Sequence, residues 1–146
     1  MADSPVERLI AGLLRAGTRL MAGRAFRPGL PIGQHRRRLQ QAVRVTLPPR
    51  GTKFTVATCG AVAGEWVAAR GTAPTPLTVL YLHGGGYLSG SPVTHRAITG
   101  HLAARCGARV FAADYRLAPE HPFPAALDDA VAAVDVAGPH LIALGA

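Results

Sequence analysis

The chain has 146 residues, 49% of them hydrophobic, which sets it at about one domain with enough apolar mass for a core and excludes disorder. Its formal charge of +8 sits at one end: residues 1 to 70 hold twelve Arg and Lys against three acids (Asp3, Glu7 and Glu65), whereas residues 71 to 146 hold four against five. Eight scattered aromatics make no base-stacking platform, and a short run such as His35-Arg36-Arg37-Arg38 reads by default as a solvated helix face, so nucleic-acid binding is only a minor alternative.

In chain order, Val6, Leu9, Ile10, Leu13, Leu14, Leu20 and Met21 recur at three- and four-residue spacings over the first 25 residues. They predict an amphipathic helix opened by a cap at Asp3 to Pro5, with packing on its own protein preferred over membrane contact. Pro28, Gly29, Pro31 and Gly33 then break the chain across a linker or cap over 26–40, and the Arg-rich run begins a second short helix. The alternation in AVRVTL (42–47) predicts a half-buried strand and GEWVAARG (64–71) another, while FTVATCGAVA between them is ambiguous.

Leu77 to Leu82 is an apolar run with β-branched members, as in a strand covered on both faces. SPVTHRAITGHLAARCG (91–107) starts on Ser-Pro and closes on a glycine, which marks both ends of a helix. A strand over 108–115, a helix over 123–138 closing on Gly138 and a strand-like HLIALGA complete a strand-helix alternation, which predicts an α/β fold with a mostly parallel sheet flanked by helices. Cys59 and Cys106 show no CxxC spacing and indicate neither a zinc site nor a disulfide framework, which suits a reducing, cytoplasmic location. No apolar run approaches the roughly 20 residues of a spanning helix, so stable membrane insertion is not expected.

The carboxyl end of the 77–82 strand carries His83-Gly84-Gly85-Gly86-Tyr87, where α/β sheets gather their chemistry. Glycines there bring bare N–H groups close to an anion, either a phosphate or the oxyanion formed when a carbonyl is attacked. GGGYLSGS lacks the Lys-Ser/Thr ending of a P-loop and does not match GxGxxG, which leaves the oxyanion.

HGGGY followed about thirty residues later by DYRLAPEHPFPAALDDA (114–130) resembles the hormone-sensitive lipase-like family of α/β-hydrolases, and the likeness spans roughly residues 43 to 144. The resemblance implies that Gly84 and Gly85 offer N–H groups to the oxyanion and that Gly86 gives room for the turn. It makes His83 a loop support rather than a catalytic base, and places Tyr87 in the acyl pocket. Asp114, Tyr115, Arg116 and Glu120 would form a structural network beside the site, with cis bonds at Ala118-Pro119 and Phe123-Pro124. Residues 1–41 would be cap helices and residues 42–146 a hydrolase core. Three prolines between 119 and 124 make a stiff bend, and Arg116 has Glu120, Asp128 and Asp129 as possible partners, a choice the sequence leaves open.

Such an esterase acts without a cofactor on a small ester substrate, through a serine in GxSxG followed by Asp or Glu and then His. None of these triad members is in the sequence, and in the family the elbow would follow the strand that HLIAL resembles. The expectation is therefore the N-terminal half of such an enzyme, truncated before the nucleophile and inactive alone. The alternative is a non-catalytic binding or regulatory fragment that pairs with another hydrolase chain, and an exposed edge over 140–146 is expected to favour self-association. Ser89 or Ser91 with His95 and Asp114 makes a weak substitute trio. His83, His95 and His101, spaced by twelve and six, fit no common metal pattern.

Overall fold

A computed structural model of the protein describes residues 11–13, 15–17, 19–20, 23, 29–71, 77–137 and 141–145. The described residues from 11 to 23 are helical, as the apolar spacing predicts, while the cap at Asp3 to Pro5 lies outside the described residues. Leu13 and Leu20 of the apolar stripe are exposed, so the expected packing on the protein is absent at these two positions. Among the described residues no helix is long and apolar enough to cross a membrane.

Helix α1 (Ile32–Ala42) begins just after Pro31, whose carbonyl accepts the first intrahelical bonds from Gln34 and His35. Gly33 thus lies inside a helix rather than in the expected linker. The strand predicted over 42–47 is not formed: Ala42 ends α1, Val43–Val45 is a 3-10 turn, and Thr46 bonds back to the Val43 carbonyl through both its N–H and its hydroxyl. Its alternating pattern finds no partner strand, and Val45 and Leu47 face solvent.

The ambiguous stretch that follows forms β1 (Lys53–Cys59), which makes a hairpin through the two-residue loop Gly60-Ala61 with β2 (Val62–Ala68), the strand expected over 64–71. Then come β3 (Thr78–Leu82), a 3-10 turn over Val93–His95, α2 (Arg96–Cys106), β4 (Arg109–Ala113), α3 (Ala125–Ala137) and β5 (Leu141–Gly145). Gly107 ends α2 in the left-handed conformation, as its position in the sequence predicts, whereas Gly138 lies outside the described residues. The sheet order is β1-β2-β4-β3-β5. The expected parallel part is β4-β3-β5, and the hairpin adds two antiparallel strands, which makes the sheet mixed.

Period-two alternation along β2, β3 and β4 sorts the core onto the two faces of the sheet. Leu80 and Phe111 pack with Tyr115, Val62 and Ala133 of α3 on one face; Val67, Val79, Val110 and Tyr81 pack with Ala103 of α2 on the other. Burial on both faces is what the run through β3 predicts. It also fixes the end of β3, from which the glycine loop departs.

Candidate active site

The loop after β3 is tied down by its own backbone and by the segment that follows β4. The Gly85 carbonyl accepts from the N–H groups of Leu88 (3.2 Å) and Ser89 (3.1 Å) and from the Ser89 hydroxyl (3.1 Å). The Tyr115 hydroxyl donates to the His83 carbonyl, and the Ala118 N–H donates to the Tyr87 carbonyl at 2.8 Å. The bonds close a tight turn in which Gly85 has φ 131, Gly86 φ 63 and Tyr87 φ 60. Among the described residues, no acceptor takes the N–H of Gly84, Gly85 or Gly86, and Gly85 and Gly86 are exposed. Consecutive unpaired N–H groups held in a concave turn make an anion-binding surface.

His83 is buried, and its ring stacks on Tyr115 with centroids 4.3 Å apart and on His95 at 5.4 Å. Its Nδ1 lies 3.0 Å from the Gly84 carbonyl, which can only accept, so the proton belongs on Nδ1. Nε2 then carries a lone pair with no partner among the described residues. Burial lowers the pKa of His83, the Gly84 bond partly opposes this, and His95 lowers it further; burial likewise lowers His95.

Both folded values lie below the ordinary histidine value of about 6.5, so the unfolded chain binds more protons in that window. Stability from this pair is complete above that pH and is lost as pH falls towards the folded values. Urea unfolding between about pH 8 and about pH 5 is expected to show this loss, with a slope of up to about 1.4 kcal/mol per pH unit per histidine. Asp129 and Glu120, held low chiefly by hydrogen bonds from Arg116 and Arg36, act only below the ordinary carboxylate range. Asp114, raised first by burial and then by Glu65, acts in the opposite sense. Histidine NMR titration isolates the pair, and a midpoint at or above about 6.5 for both His83 and His95 refutes the assignment.

Beside the loop lies a cavity of about 580 Å³, lined mainly by apolar groups that include Leu82, Tyr87, Tyr115, Phe123, Leu127 and Ala130. Tyr87 projects at its rim, two-thirds exposed, with its ring 6.3 Å from that of Tyr115. Residues 114–124 form the opposite wall, and the bonds Ala118-Pro119 and Phe123-Pro124 are both cis, as the resemblance implies.

The four residues expected as one network reach outward instead, each to a different element. Tyr115 bonds His83, while Glu120 pairs with Arg36 of α1. Arg116 takes Asp129 of α3: its Nη2 is 2.7 Å from Oδ1 and its backbone N–H donates to Oδ2 at 2.8 Å. The Asp114 N–H donates to the Ala63 carbonyl of β2.

The substitute trio does not assemble. The Ser89 hydroxyl is spent on Gly85, that of Ser91 accepts from the Thr94 N–H, and His95 Nδ1 faces the Thr94 hydroxyl and the Ser91 carbonyl. His101 is exposed on α2, apart from the stacked pair, and no group of three potential metal ligands converges among the described residues.

Two features escaped the sequence. Arg36, within the run read as a solvated face, donates to the carbonyls of Leu88 (2.8 Å) and Ala118 (2.9 Å) and forks onto Glu120. Buried Glu65 on β2 takes Arg96 at 2.7 Å, a carboxylate set within an apolar strand pattern that carries no partner signal.

The alpha/beta hydrolase fold family matches residues 79–144, the span from β3 through β5. An acetyl-hydrolase of Streptomyces hygroscopicus is 49% identical over 85 residues, which cover 58% of this chain and 27% of that protein. The esterase LipI of Mycobacterium tuberculosis is 47% identical over 68 residues, 47% of this chain and 21% of that one. A hormone-sensitive lipase from a metagenome library superposes with a TM-score of 0.80 at 37% identity, over 90% of this chain and 46% of that structure. An esterase of the bacterial hormone-sensitive lipase family gives 0.79 at 34%, over 99% and 48%. The chain thus spans about half the length of these solved structures. Over the part they share, these matches in sequence and fold identify the chain as a hormone-sensitive lipase-like α/β-hydrolase.

Proposed function

We propose that residues 83–87 are the anion-holding part of a site that hydrolyses carboxylic esters. The observation that carries this reading is the row of N–H groups at Gly84, Gly85 and Gly86 that are unpaired among the described residues, fixed at the end of β3 and opening beside an apolar cavity. In the reaction a serine hydroxyl attacks the ester carbonyl, the alcohol leaves, and water releases the acid from the acyl-enzyme. The negative charge on the carbonyl oxygen in each step would lie against Gly84 and Gly85, with Gly86 giving room for the turn. His83 keeps its Nδ1–H on the loop and holds it rather than acting as the base. Tyr87 lines the pocket for the acyl group, and Asp114, Tyr115, Arg116 and Glu120 brace the wall behind it. Residues 1–41 serve as cap and 42–146 as core.

GxSxG is not among the 146 residues, so this polypeptide by itself is proposed to turn over no ester. Without a triad an intact hole supplies only about 1,000- to 10,000-fold catalysis over water. The purified chain is expected to show no p-nitrophenyl ester hydrolysis and no fluorophosphonate labelling. Joined to the remaining half of a matched hormone-sensitive lipase, it is expected to give both. A folded chimaera without turnover, or turnover by the chain alone that Ser89→Ala or Ser91→Ala abolishes, overturns the reading.

The exposed face of α3 (Leu127, Val131, Val134) and Ile142 on the edge strand β5 favour a second reading, a fragment that pairs with another hydrolase chain or with itself. Size-exclusion chromatography of the same preparation reads it, and a monodisperse monomer that captures no full-length relative counts against it.

A further inference from the structure

We propose that Arg36 is the positioning residue of the glycine loop: from α1 its guanidinium fixes the Leu88 carbonyl to the Ala118 carbonyl and so sets the direction of the Gly84–Gly86 N–H groups. The inference rests on the ester-hydrolysing reading for its chemical meaning, but its geometry stands by itself. Nε donates to Leu88 O at 2.8 Å, Nη2 to Ala118 O at 2.9 Å, and Nη1 and Nη2 to the Glu120 carboxylate at 2.9 and 2.8 Å. One side chain therefore bonds both the loop and the opposite wall of the cavity.

The backbone relays this constraint. Leu88 donates its N–H to the Gly85 carbonyl, so a carbonyl anchored by Arg36 belongs to the same residue that closes the turn around Gly85. The Tyr87 carbonyl meanwhile accepts from Ala118 and the His83 carbonyl from the Tyr115 hydroxyl, so Arg36 adds a side-chain link to two direct bonds between loop and wall. The arginine is only about a quarter exposed, and Glu120 neutralises it while aiming its remaining donors at the two carbonyls. A lysine cannot replace it, because an ammonium is a single point of charge without the planar fork that reaches three acceptors at fixed angles.

The test uses the full chain, with amide exchange and chemical shifts read by NMR for wild type, Arg36→Lys, Arg36→Ala, Glu120→Gln and the control Arg37→Ala. Both Arg36 variants are expected to shift the Gly84–Gly86 amides and to speed exchange at Leu88, Ser89 and Ala118 about tenfold or more, with the protection of β3 and β4 retained. Glu120→Gln is expected to give a smaller change of the same pattern, and Arg37→Ala none. Unchanged loop amides in Arg36→Ala, full rescue by lysine, or exchange raised equally through β3 and β4 would each overturn the proposal. These readouts need no turnover, so an inactive chimaera defeats the proposed function without touching this result. In an active chimaera, Arg36→Lys should lower kcat while leaving KM nearly constant.

Discussion

Gly85→Ala is expected to destabilise the chain by about 3 kcal/mol or more and to abolish the folded glycine loop. A Cβ built at position 85 would stand 2.1 Å from the Ser89 carbonyl oxygen and 2.7 Å from its carbon, and both atoms are backbone that cannot swing aside. Its φ of 131 is one that residues with a side chain rarely adopt, so relief of the clash leaves the conformational cost in place. Any escape must break the bonds that Leu88 and Ser89 make to the Gly85 carbonyl. The neighbouring glycine separates these causes. Gly86 has φ 63 with open space where a Cβ would go, so Gly86→Ala should cost only about 1–2 kcal/mol, the ordinary penalty of a left-handed residue. Urea unfolding of the two variants measures the contrast, and a Gly85→Ala chain as stable as Gly86→Ala would refute the geometry of the loop.

This dependence on bare backbone is why the centre of the site was legible in the sequence while its supports were not. Three glycines behind a strand are a local signal, as are the capped pattern of α2 and the apolar runs of β3 and β4. Of the hairpin only β1 was hard to read, because among the described residues it pairs on one side only and most of its residues are at least partly exposed, so its alternation is weak. The same weakness misled at residues 42–47, where alternation without a partner strand gives a 3-10 turn.

The supports depend on direction. Successive residues on a helix point about 100° apart, so a run of three arginines cannot say that Arg36 is the one facing the loop. Nor can Asp128 and Asp129 say which of them meets Arg116. Only the packing of α1 and α3 decides both, and that packing is long-range. Glu120 shows the consequence: it lies four residues from Arg116, yet it serves an arginine 84 positions away.

The second large effect is expected at the buried pair. Arg96 opens α2, where a positive charge lies against the positive end of the helix dipole, so its place needs another explanation. Glu65 provides it. This carboxylate is 2% exposed in the sheet, and Arg96 forks onto it through Nε (3.1 and 3.2 Å) and Nη2 (2.7 Å) while lying over the Phe54 ring at 4.8 Å. Hydrogen bonding to Glu65 is also the leading cause that raises the arginine's pKa, and Asp114 adds a second carboxyl whose pKa is raised first by burial and then by Glu65.

Arg96→Ala therefore leaves a buried negative charge unpaired near another acid. Breaking a buried pair this way typically costs about 3–5 kcal/mol. Because the Arg96 side chain is itself 38% exposed and partly screened, about 2–4 kcal/mol is the expected loss. Removing both charges should cost less than removing one: Glu65→Leu combined with Arg96→Met replaces the fork by apolar contact beside Phe54 and is expected to recover at least half of the loss. Denaturant unfolding of the two single variants and the double closes the cycle. If the double variant falls by the sum of the singles, the two side chains do not depend on each other and the buried charge is not what makes Arg96→Ala costly.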